Sequence, residues 1–281
     1  MFSFLSEPIP NQDKALERIG CKDLEIKCSL DTLDRLVRGF ITHVPFENLS
    51  VSLLGEIPSL ASKDLYEKIV DKRRGGYCFE LNGFMWLLLR DLGFEVYSVS
   101  AYVLEYLPWM GPLSHRANVV TIDGKKYLID VGFGGRNVAD LAVPMDGTVR
   151  GGFFVSYDEK ACEYTLCHEV DPAEEISAGH GDFLLEKETD GRKTYYVKII
   201  MFRDVKAYPQ DFYLPNIAVF YTRENPIISN VIVNLKNEKG EIFTIFNDEF
   251  KGKTAQGQFA EKIKNDEELK TILRERFGMI I

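Results

Sequence analysis

One stretch of this chain combines a reactive side chain with the backbone features that would activate it. Cys78 follows two glycines, Gly75 and Gly76, and precedes a strongly apolar run, Leu81 to Leu92, which ends before Gly93. An apolar run of this length closed by a glycine predicts a buried helix. Unpaired amides at the start of a helix favour a thiolate over a thiol. Cys78 is therefore a candidate nucleophile, and the alternative is a small apolar core residue.

A strong hairpin signal brings two further candidates together. Asp123-Gly124 separates two strand-like segments, and a two-residue turn there pairs Ile122 with Lys125. In that register His115 and Asp130 share one face and are diagonal neighbours, within about 7–8 Å between backbones. A carboxylate at this position would orient the imidazole and favour its protonated form. A three-residue loop would put the two residues on opposite faces, and a purely structural His–Asp hydrogen bond is the alternative to a catalytic base.

The distribution of apolar residues predicts an α+β chain in three parts. Residues 1–93 have helical spacing, and we expect them to form a helical bundle that carries the nucleophile. Residues 94–203 predict an antiparallel β-barrel or sandwich that carries the histidine and the aspartate. Residues 204–281 mix both patterns. In this last part we expect two strands and one amphipathic helix, at 227–235, 241–247 and 254–277.

Composition limits the classes of partner. The chain has 281 residues, a net charge of -9 and a pI near 5.1, which argues against non-specific binding to nucleic acid or to an anionic membrane surface. No apolar run reaches the roughly 18 residues of a membrane span. The N-terminus lacks the basic and apolar segments of a signal peptide. Five scattered cysteines do not suggest a disulfide framework, so we expect a reducing, cytoplasmic location.

Two other motifs are weak. The glycine-rich segment Gly132–Gly135 directly follows Asp130 and leaves a predicted strand, so its amides could receive an anionic group. It matches neither a P-loop nor a dinucleotide-binding fingerprint. Cys162, Cys167 and His168 do not have the spacing of a zinc site, and we expect no bound metal.

Four segments together resemble one family, the arylamine N-acetyltransferases. They occur in that family's order and at similar spacing, and they cover roughly residues 40 to 135. The segments are Pro45-Phe46-Glu47-Asn48-Leu49, Arg74-Gly75-Gly76-Tyr77-Cys78-Phe79-Glu80-Leu81-Asn82, Ser114-His115-Arg116 and Ile129-Asp130-Val131-Gly132-Phe133-Gly134. The resemblance implies a cysteine-protease-like fold, with a helical bundle, a central antiparallel β-barrel and a C-terminal α/β lid.

The same resemblance implies a reaction and its residues. Cys78, His115 and Asp130 would form a catalytic triad that moves an acetyl group from acetyl-CoA to an arylamine or arylhydrazine through an acetyl-cysteine, in a ping-pong sequence, as in xenobiotic metabolism. The implied ligand-binding residues are Phe46 and Phe79 at the acceptor pocket, and Val103, Ser114, Phe133 and Gly134 along the pantetheine and pyrophosphate of coenzyme A. Arg74 would brace a junction between the parts.

Two other functions remain open at this stage. The same triad serves amide synthases, hydrolases and transglutaminase-like enzymes, which differ in acceptor or donor. A non-catalytic protein that binds coenzyme A or an aromatic ligand would keep Cys78 buried and inert. The rate at which iodoacetamide alkylates the Cys78 thiol near pH 6 separates this last function from the enzymatic ones.

Overall fold

The computed structural model describes residues 2–105, 107, 111–189, 191–222 and 225–280. These residues form an α+β fold with an N-terminal group of helices, a nearly closed antiparallel barrel sheet and a second antiparallel sheet, which confirms the expected fold class. No helix in the described ranges is long and apolar enough to cross a membrane.

The helices concentrate near the N-terminus and around the second sheet. In chain order they are α1 Gln12–Arg18, α2 Leu30–His43, α3 Leu49–Ser52, α4 Ser62–Tyr66, α5 Cys78–Asp91, α6 Pro172–Ser177, α7 Tyr213–Tyr221, α8 Pro226–Ser229 and α9 Asp266–Phe277. A π turn, Glu67–Asp71, continues α4. Three short 3-10 turns lie at Ser3–Leu5, Gly181–Phe183 and Pro209–Phe212.

The strands form two sheets. They are β1 Phe46–Glu47, β2 Glu95–Val103, β3 His115–Ile122, β4 Lys125–Ile129, β5 Val143–Pro144, β6 Phe153–Asp158, β7 Glu163–Glu169, β8 Leu185–Thr189, β9 Arg192–Phe202, β10 Ile232–Lys236, β11 Ile242–Phe246, β12 Glu249–Thr254 and β13 Gly257–Lys262. The barrel sheet has the order β5-β4-β3-β2-β9-β7-β6, with β8 also paired to β9, and its end strands β5 and β6 lie close together. The second sheet has the order β1-β10-β11-β12-β13.

Helix α5 is the central element of the N-terminal part. Phe84, Met85, Leu88 and Leu89 are fully buried, because apolar residues occur on nearly every face of the helix. The helix ends at Asp91, and Gly93 follows with a φ of 91°, in the left-handed region that a terminating glycine adopts readily. The helix packs against β2 and β3, so the Cys78 end of α5 lies next to the barrel.

The second sheet takes its edge strand from the N-terminal part of the chain. Phe46 pairs with Asn234 and Glu47 pairs with Val233, so β1 lies beside β10. One face of this sheet, including Phe243 and Phe250, forms an apolar core with α9. The division of the chain at 93 and 203 stays a prediction. The second sheet combines strand β1 from the first of these parts with strands β10 to β13 from the last.

Two expectations for the C-terminal part were wrong. The predicted helix 254–277 begins only at Asp266, where the Asn265 side chain accepts a hydrogen bond from the Glu268 N–H at 3.0 Å. The residues before it form strand β13, because Phe259 packs over Gly252 and against Phe250 in a hairpin rather than along a helical stripe. The predicted strand 227–235 begins only at 232, since a short helix, α8, precedes it.

The close approach of two backbones predicts that Gly75 cannot be replaced. A Cβ atom at Gly75 would lie 1.8 Å from the carbonyl oxygen of Pro45, next to the bridge between Phe46 and Gly76. We expect Gly75→Ala to lower the free energy of unfolding by about 2–4 kcal/mol. Urea unfolding measures the change. Gly111→Ala is the matched control, because a Cβ there meets no atom of the described residues within 4 Å; equal effects of the two substitutions would contradict the prediction.

Candidate active site

The thiol lies at the first residue of helix α5. Cys78 is half-buried, and its Sγ atom is 3.7 Å from the carbonyl oxygen of Ser114 on the barrel side. Glu80, one turn into the helix, accepts a hydrogen bond from the Tyr77 N–H at 3.1 Å and so satisfies one amide at the helix start. The sequence Tyr77–Glu80 therefore fixes the direction in which the chain enters the helix, and with it the position of the sulfur.

A partly buried group of charges holds the loop that precedes the thiol. The fully buried Glu47 accepts hydrogen bonds from Arg74, with Nη2 to Oε1 at 2.8 Å, and Lys68 donates to Glu80 at 2.7 Å. Lys68 also lies 3.4 Å from Glu47, so the two cations and the two carboxylates form one connected cluster. Buried charges are tolerated only when they are paired in this way. Arg74 joins the glycine loop to β1, as expected for a residue that braces a junction.

The hairpin register is the predicted one. Ile122 pairs with Lys125 and Asn118 pairs with Ile129. Residues 123 and 124 have φ values of 50° and 75°, the left-handed conformations that this two-residue turn requires. His115 Nε2 and Asp130 Oδ2 are consequently 2.6 Å apart, and both side chains are 3% exposed.

The imidazole sits between a carboxylate and the thiol. Burial by itself would lower the pKa of His115, but the charge and hydrogen bond of Asp130 and the hydrogen bond and charge of Cys78 outweigh it and raise that pKa to about 10. Because Nε2 donates to Asp130, Nδ1 is the ring atom left for the Cys78 side chain. The structure therefore favours a protonated imidazole between the two groups at neutral pH.

The side chain of Asn82 joins helix α5 to the barrel beside the His115–Asp130 pair. This role was not predicted from the sequence. Its Nδ2 donates to Asp130 Oδ1 at 2.8 Å, and its Oδ1 accepts from the Val131 N–H at 3.0 Å. Nδ2 also donates to the carbonyl oxygen of Arg116, and the side chain is fully buried. Residue 82 lies four residues after Cys78, on the same helix face, which is the signal that could have identified it.

A cavity of about 350 Å³ opens beside the thiol. Its lining residues come from all three predicted parts of the chain: Phe46, Tyr77, Cys78, Val103, Glu105, Leu107, Ser114, His115, Gly132, Phe133, Val219, Asn225 and Ile227. The apolar side chains predominate, as in small-molecule sites generally. Asp130 lies behind His115 and does not line the cavity.

Two of the predicted ligand-binding residues lie elsewhere. Phe79 is fully buried in the helical core, with its ring 5.6 Å from that of Tyr77 and 6.0 Å from that of Phe212. It points away because adjacent residues of a helix face directions about 100° apart. Gly134 lies behind Phe46, since a Cβ there would be 2.7 Å from the Phe46 ring. Neither residue lines this cavity, and their roles in ligand binding stay predictions.

The other predicted residues surround the cavity together. Phe46, Val103, Ser114 and Phe133 line it beside the thiol and the imidazole. The rings of His115 and Phe133 pack edge to face with centroids 5.6 Å apart. Several lining residues were not predicted, among them Glu105 and three residues of the C-terminal part. Within the described ranges, no group of three or more His, Cys, Asp or Glu side chains could hold a metal ion.

A thiol at a helix start, beside an imidazole that a carboxylate holds, is the arrangement of enzymes with a Cys–His–Asp triad. A family model described as N-acetyltransferase matches residues 29–281. The chain belongs to the arylamine N-acetyltransferase family.

A curated relative is similar in sequence, and two solved structures share the fold. The chain is 39% identical over 128 residues to an arylamine N-acetyltransferase of Mycolicibacterium smegmatis, a match that covers 44% of this chain and 46% of the relative. It thus spans about half the length of that curated relative. The Mycobacterium marinum enzyme in complex with CoA has a TM-score of 0.77 at 20% identity, covering 96% of this chain and 93% of that one. A Bacillus cereus arylamine N-acetyltransferase described with a Cys-His-Glu catalytic triad has a TM-score of 0.73 at 21% identity, covering 96% and 98%.

The contacts of Asn82 predict that Asn82→Ala uncouples the helix from the barrel. The substitution leaves Asp130 Oδ1, the Val131 N–H and the Arg116 carbonyl short of a buried partner, so we expect the free energy of unfolding to fall by about 1–3 kcal/mol. We also expect slower alkylation of Cys78 by iodoacetamide, because His115 loses its fixed carboxylate. Asn11→Ala, which removes an exposed helix cap, is the control for stability alone; unchanged alkylation in Asn82→Ala would contradict the positioning role.

The His115–Asp130 pair predicts a specific dependence of stability on pH. The pKa of His115 is raised from 6.5 to about 10 in the folded state. The protonated ring therefore contributes fully to the free energy of unfolding below about pH 6.5, and this contribution is lost as the pH rises through about 10. We therefore compare the wild type with Asp130→Asn. The wild type should have the higher free energy of unfolding at about pH 6, and this difference should shrink by at least about 1 kcal/mol by about pH 10. Urea unfolding at each pH tests this, with the exposed Asp13→Asn as control. A difference that stays constant or grows would refute the assignment.

Proposed function

We propose that this protein transfers an acetyl group from acetyl-CoA to the nitrogen of an arylamine or arylhydrazine. The observation that carries the proposal is that Cys78 and His115 line the same apolar cavity, while Asp130 holds the His115 ring from behind through a 2.6 Å hydrogen bond. Membership of the family supports it, and the CoA complex of the Mycobacterium marinum relative supports coenzyme A as the product of the first step.

The first half-reaction acetylates the thiol. The Cys78 thiolate attacks the carbonyl carbon of acetyl-CoA, the bond from that carbon to the coenzyme A sulfur breaks, and His115 donates its proton to the departing thiolate. Asp130 keeps the imidazole oriented and stabilises its protonated form. After this step coenzyme A leaves as a thiol, the acetyl group is a thioester on Cys78, and His115 is neutral.

The second half-reaction uses the neutral imidazole as a base. The amine nitrogen attacks the acetyl carbon, the bond from that carbon to the Cys78 sulfur breaks, and a proton passes from the nitrogen to His115. The products are the N-acetylated amine and the original thiolate–imidazolium pair. Phe46 and Phe133 offer aromatic surface beside the thiol for a flat acceptor, and Val103 and Ser114 border the space for the pantetheine arm.

The fold favours this function over an inert binding protein. Cys78 is half-buried at a cavity rather than sealed in the core, whereas Cys167 is 2% exposed and burial raises its pKa to about 11. A cysteine kept for packing resembles the latter. We further propose a cytoplasmic location, in which the thiol stays reduced.

The acetyl-cysteine predicts a mass change that a single substitution abolishes. Incubation with acetyl-CoA without acceptor should add about 42 Da to the protein, and peptide mapping should place the adduct on Cys78. Addition of 4-methylaniline should then remove the adduct and release the acetylated amine.

We expect Cys78→Ala to lose at least about 10³-fold in acetyl transfer, because no other thiol lies at the cavity among the described residues. Cys28→Ala and Cys162→Ala, which change exposed thiols, are the matched controls and should keep wild-type rates. Acetyl transfer at the wild-type rate in Cys78→Ala would refute the proposal. Peptide hydrolysis that is independent of coenzyme A would support a protease instead.

A further inference from the structure

One carboxyl group at the cavity has no part in the proposed reaction. Glu105 lies two residues after the end of β2 and lines the same cavity as Cys78 and His115. One carboxyl oxygen, Oε1, accepts a hydrogen bond from Asn137 Nδ2. The second oxygen, Oε2, has no hydrogen-bond partner within the described ranges.

A buried series of side chains fixes the orientation of this carboxyl. Asn137 is 1% exposed, and its Oδ1 lies 2.7 Å from His168 Nδ1. Burial lowers the pKa of His168 to about 4, so the ring is neutral near pH 7 and its Nδ1–H donates to the amide oxygen. The His168 ring stacks on Phe153, with centroids 4.0 Å apart and an interplanar angle of 4°. The amide nitrogen of Asn137 is therefore directed at Glu105 and not away from it.

The charges near the cavity favour one sign of ligand. Within the described ranges the lining contains a carboxyl group, Glu105, and no lysine or arginine. Burial raises the pKa of Glu105; the Asn137 hydrogen bond and the charges of Arg136 and His180 oppose that rise, and the charge of Glu175 adds to it. A hydrogen-bonded series of this kind holds its last member in one orientation, and a carboxyl with a shifted pKa at a cavity wall is a candidate binding group.

We propose that Glu105 selects the acceptor by charge, favouring arylamines and arylhydrazines that carry a second hydrogen-bond donor or a positive charge and disfavouring those that carry a carboxylate. The inference rests on the proposed acetyl transfer and names its substrate class. A donor or cation on the acceptor ring hydrogen-bonds Oε2 in a cavity that is partly shielded from water, where such bonds are strongest. A carboxylate in the same place meets a like charge and no cation among the described lining residues.

The test compares three acceptors that differ in charge at one ring position. They are 4-aminobenzamidine, which is cationic, 4-methylaniline, which is neutral, and 4-aminobenzoate, which is anionic. Because burial raises the pKa of Glu105, the assays are run at about pH 8 rather than lower, which favours the ionised carboxyl. In a ping-pong reaction kcat/KM for the acceptor reports only the second half-reaction, so the ratio of kcat/KM values for two acceptors isolates their discrimination.

In Glu105→Gln, which keeps the shape and removes the charge, we expect the ratio of 4-aminobenzamidine to 4-aminobenzoate to fall at least about tenfold. Glu186→Gln makes the same change on the exposed hairpin of β8 and β9 and should keep the wild-type ratio. Equal thermal unfolding of the two variants shows that both remain folded. Asn137→Ala, which frees the carboxyl, should lower the ratio in the same direction.

The outcomes separate this inference from the function on which it rests. If the wild type acetylates none of the three amines, the proposed function fails. If it acetylates them and Glu105→Gln keeps the wild-type ratio, the function stands and the role of Glu105 is refuted. An unchanged ratio with a higher KM for acetyl-CoA would assign the carboxyl to a pantetheine amide instead, which also overturns the inference.

Discussion

The buried side-chain amide of Asn82 is the constraint on which the site depends. It is the point where helix α5 and the barrel share hydrogen bonds, since one side chain contacts the Asp130 carboxylate, the Val131 amide and the Arg116 carbonyl. The thiol and its base come from different parts of the chain, and no local preference holds them together. A hydrogen-bonded amide of fixed length sets their separation more tightly than apolar packing alone, because its partners lose their bonds if the two elements slide.

A charged cluster fixes the position of the thiol from its other side. It consists of Glu47, Lys68, Arg74 and Glu80. The buried carboxyl groups of Glu47 and Glu80 pair there with two half-buried cations, and this pairing ties the glycine loop and the start of α5 to strand β1. Removing one member leaves its partner's charge unpaired in the interior, which is costly. The nucleophile is thus held by two polar systems, one toward the barrel and one toward the second sheet.

Features set by neighbouring residues could be predicted, and features set by distant contacts could not. The Asp123-Gly124 turn fixes a register locally, and that register was enough to place His115 beside Asp130. Helical spacing places Asn82 on the same face as Cys78, but it does not reveal the barrel groups that the Asn82 side chain binds, which are Asp130, Val131 and Arg116. The predicted helix 254–277 failed for a different reason: Phe259 fits a helical stripe in the sequence, but it pairs with Gly252 in the hairpin of β12 and β13, a local turn that the sequence interpretation did not recognise. Phe79 was placed by resemblance, and the helix turns it into the core.

The short strand β1 has a consequence for the order in which the molecule assembles. Asn48, which follows it, accepts a hydrogen bond from the Ile232 N–H across a sequence separation of 184 residues. Contacts of such long range form late during folding, because a large loop must close before they are gained. Phe46, on that strand, is a wall of the cavity, as are three residues near the far end of the same loop. During synthesis on the ribosome the nucleophile would emerge long before its cavity is closed, so the thiol spends that interval without the walls that later restrict access to it.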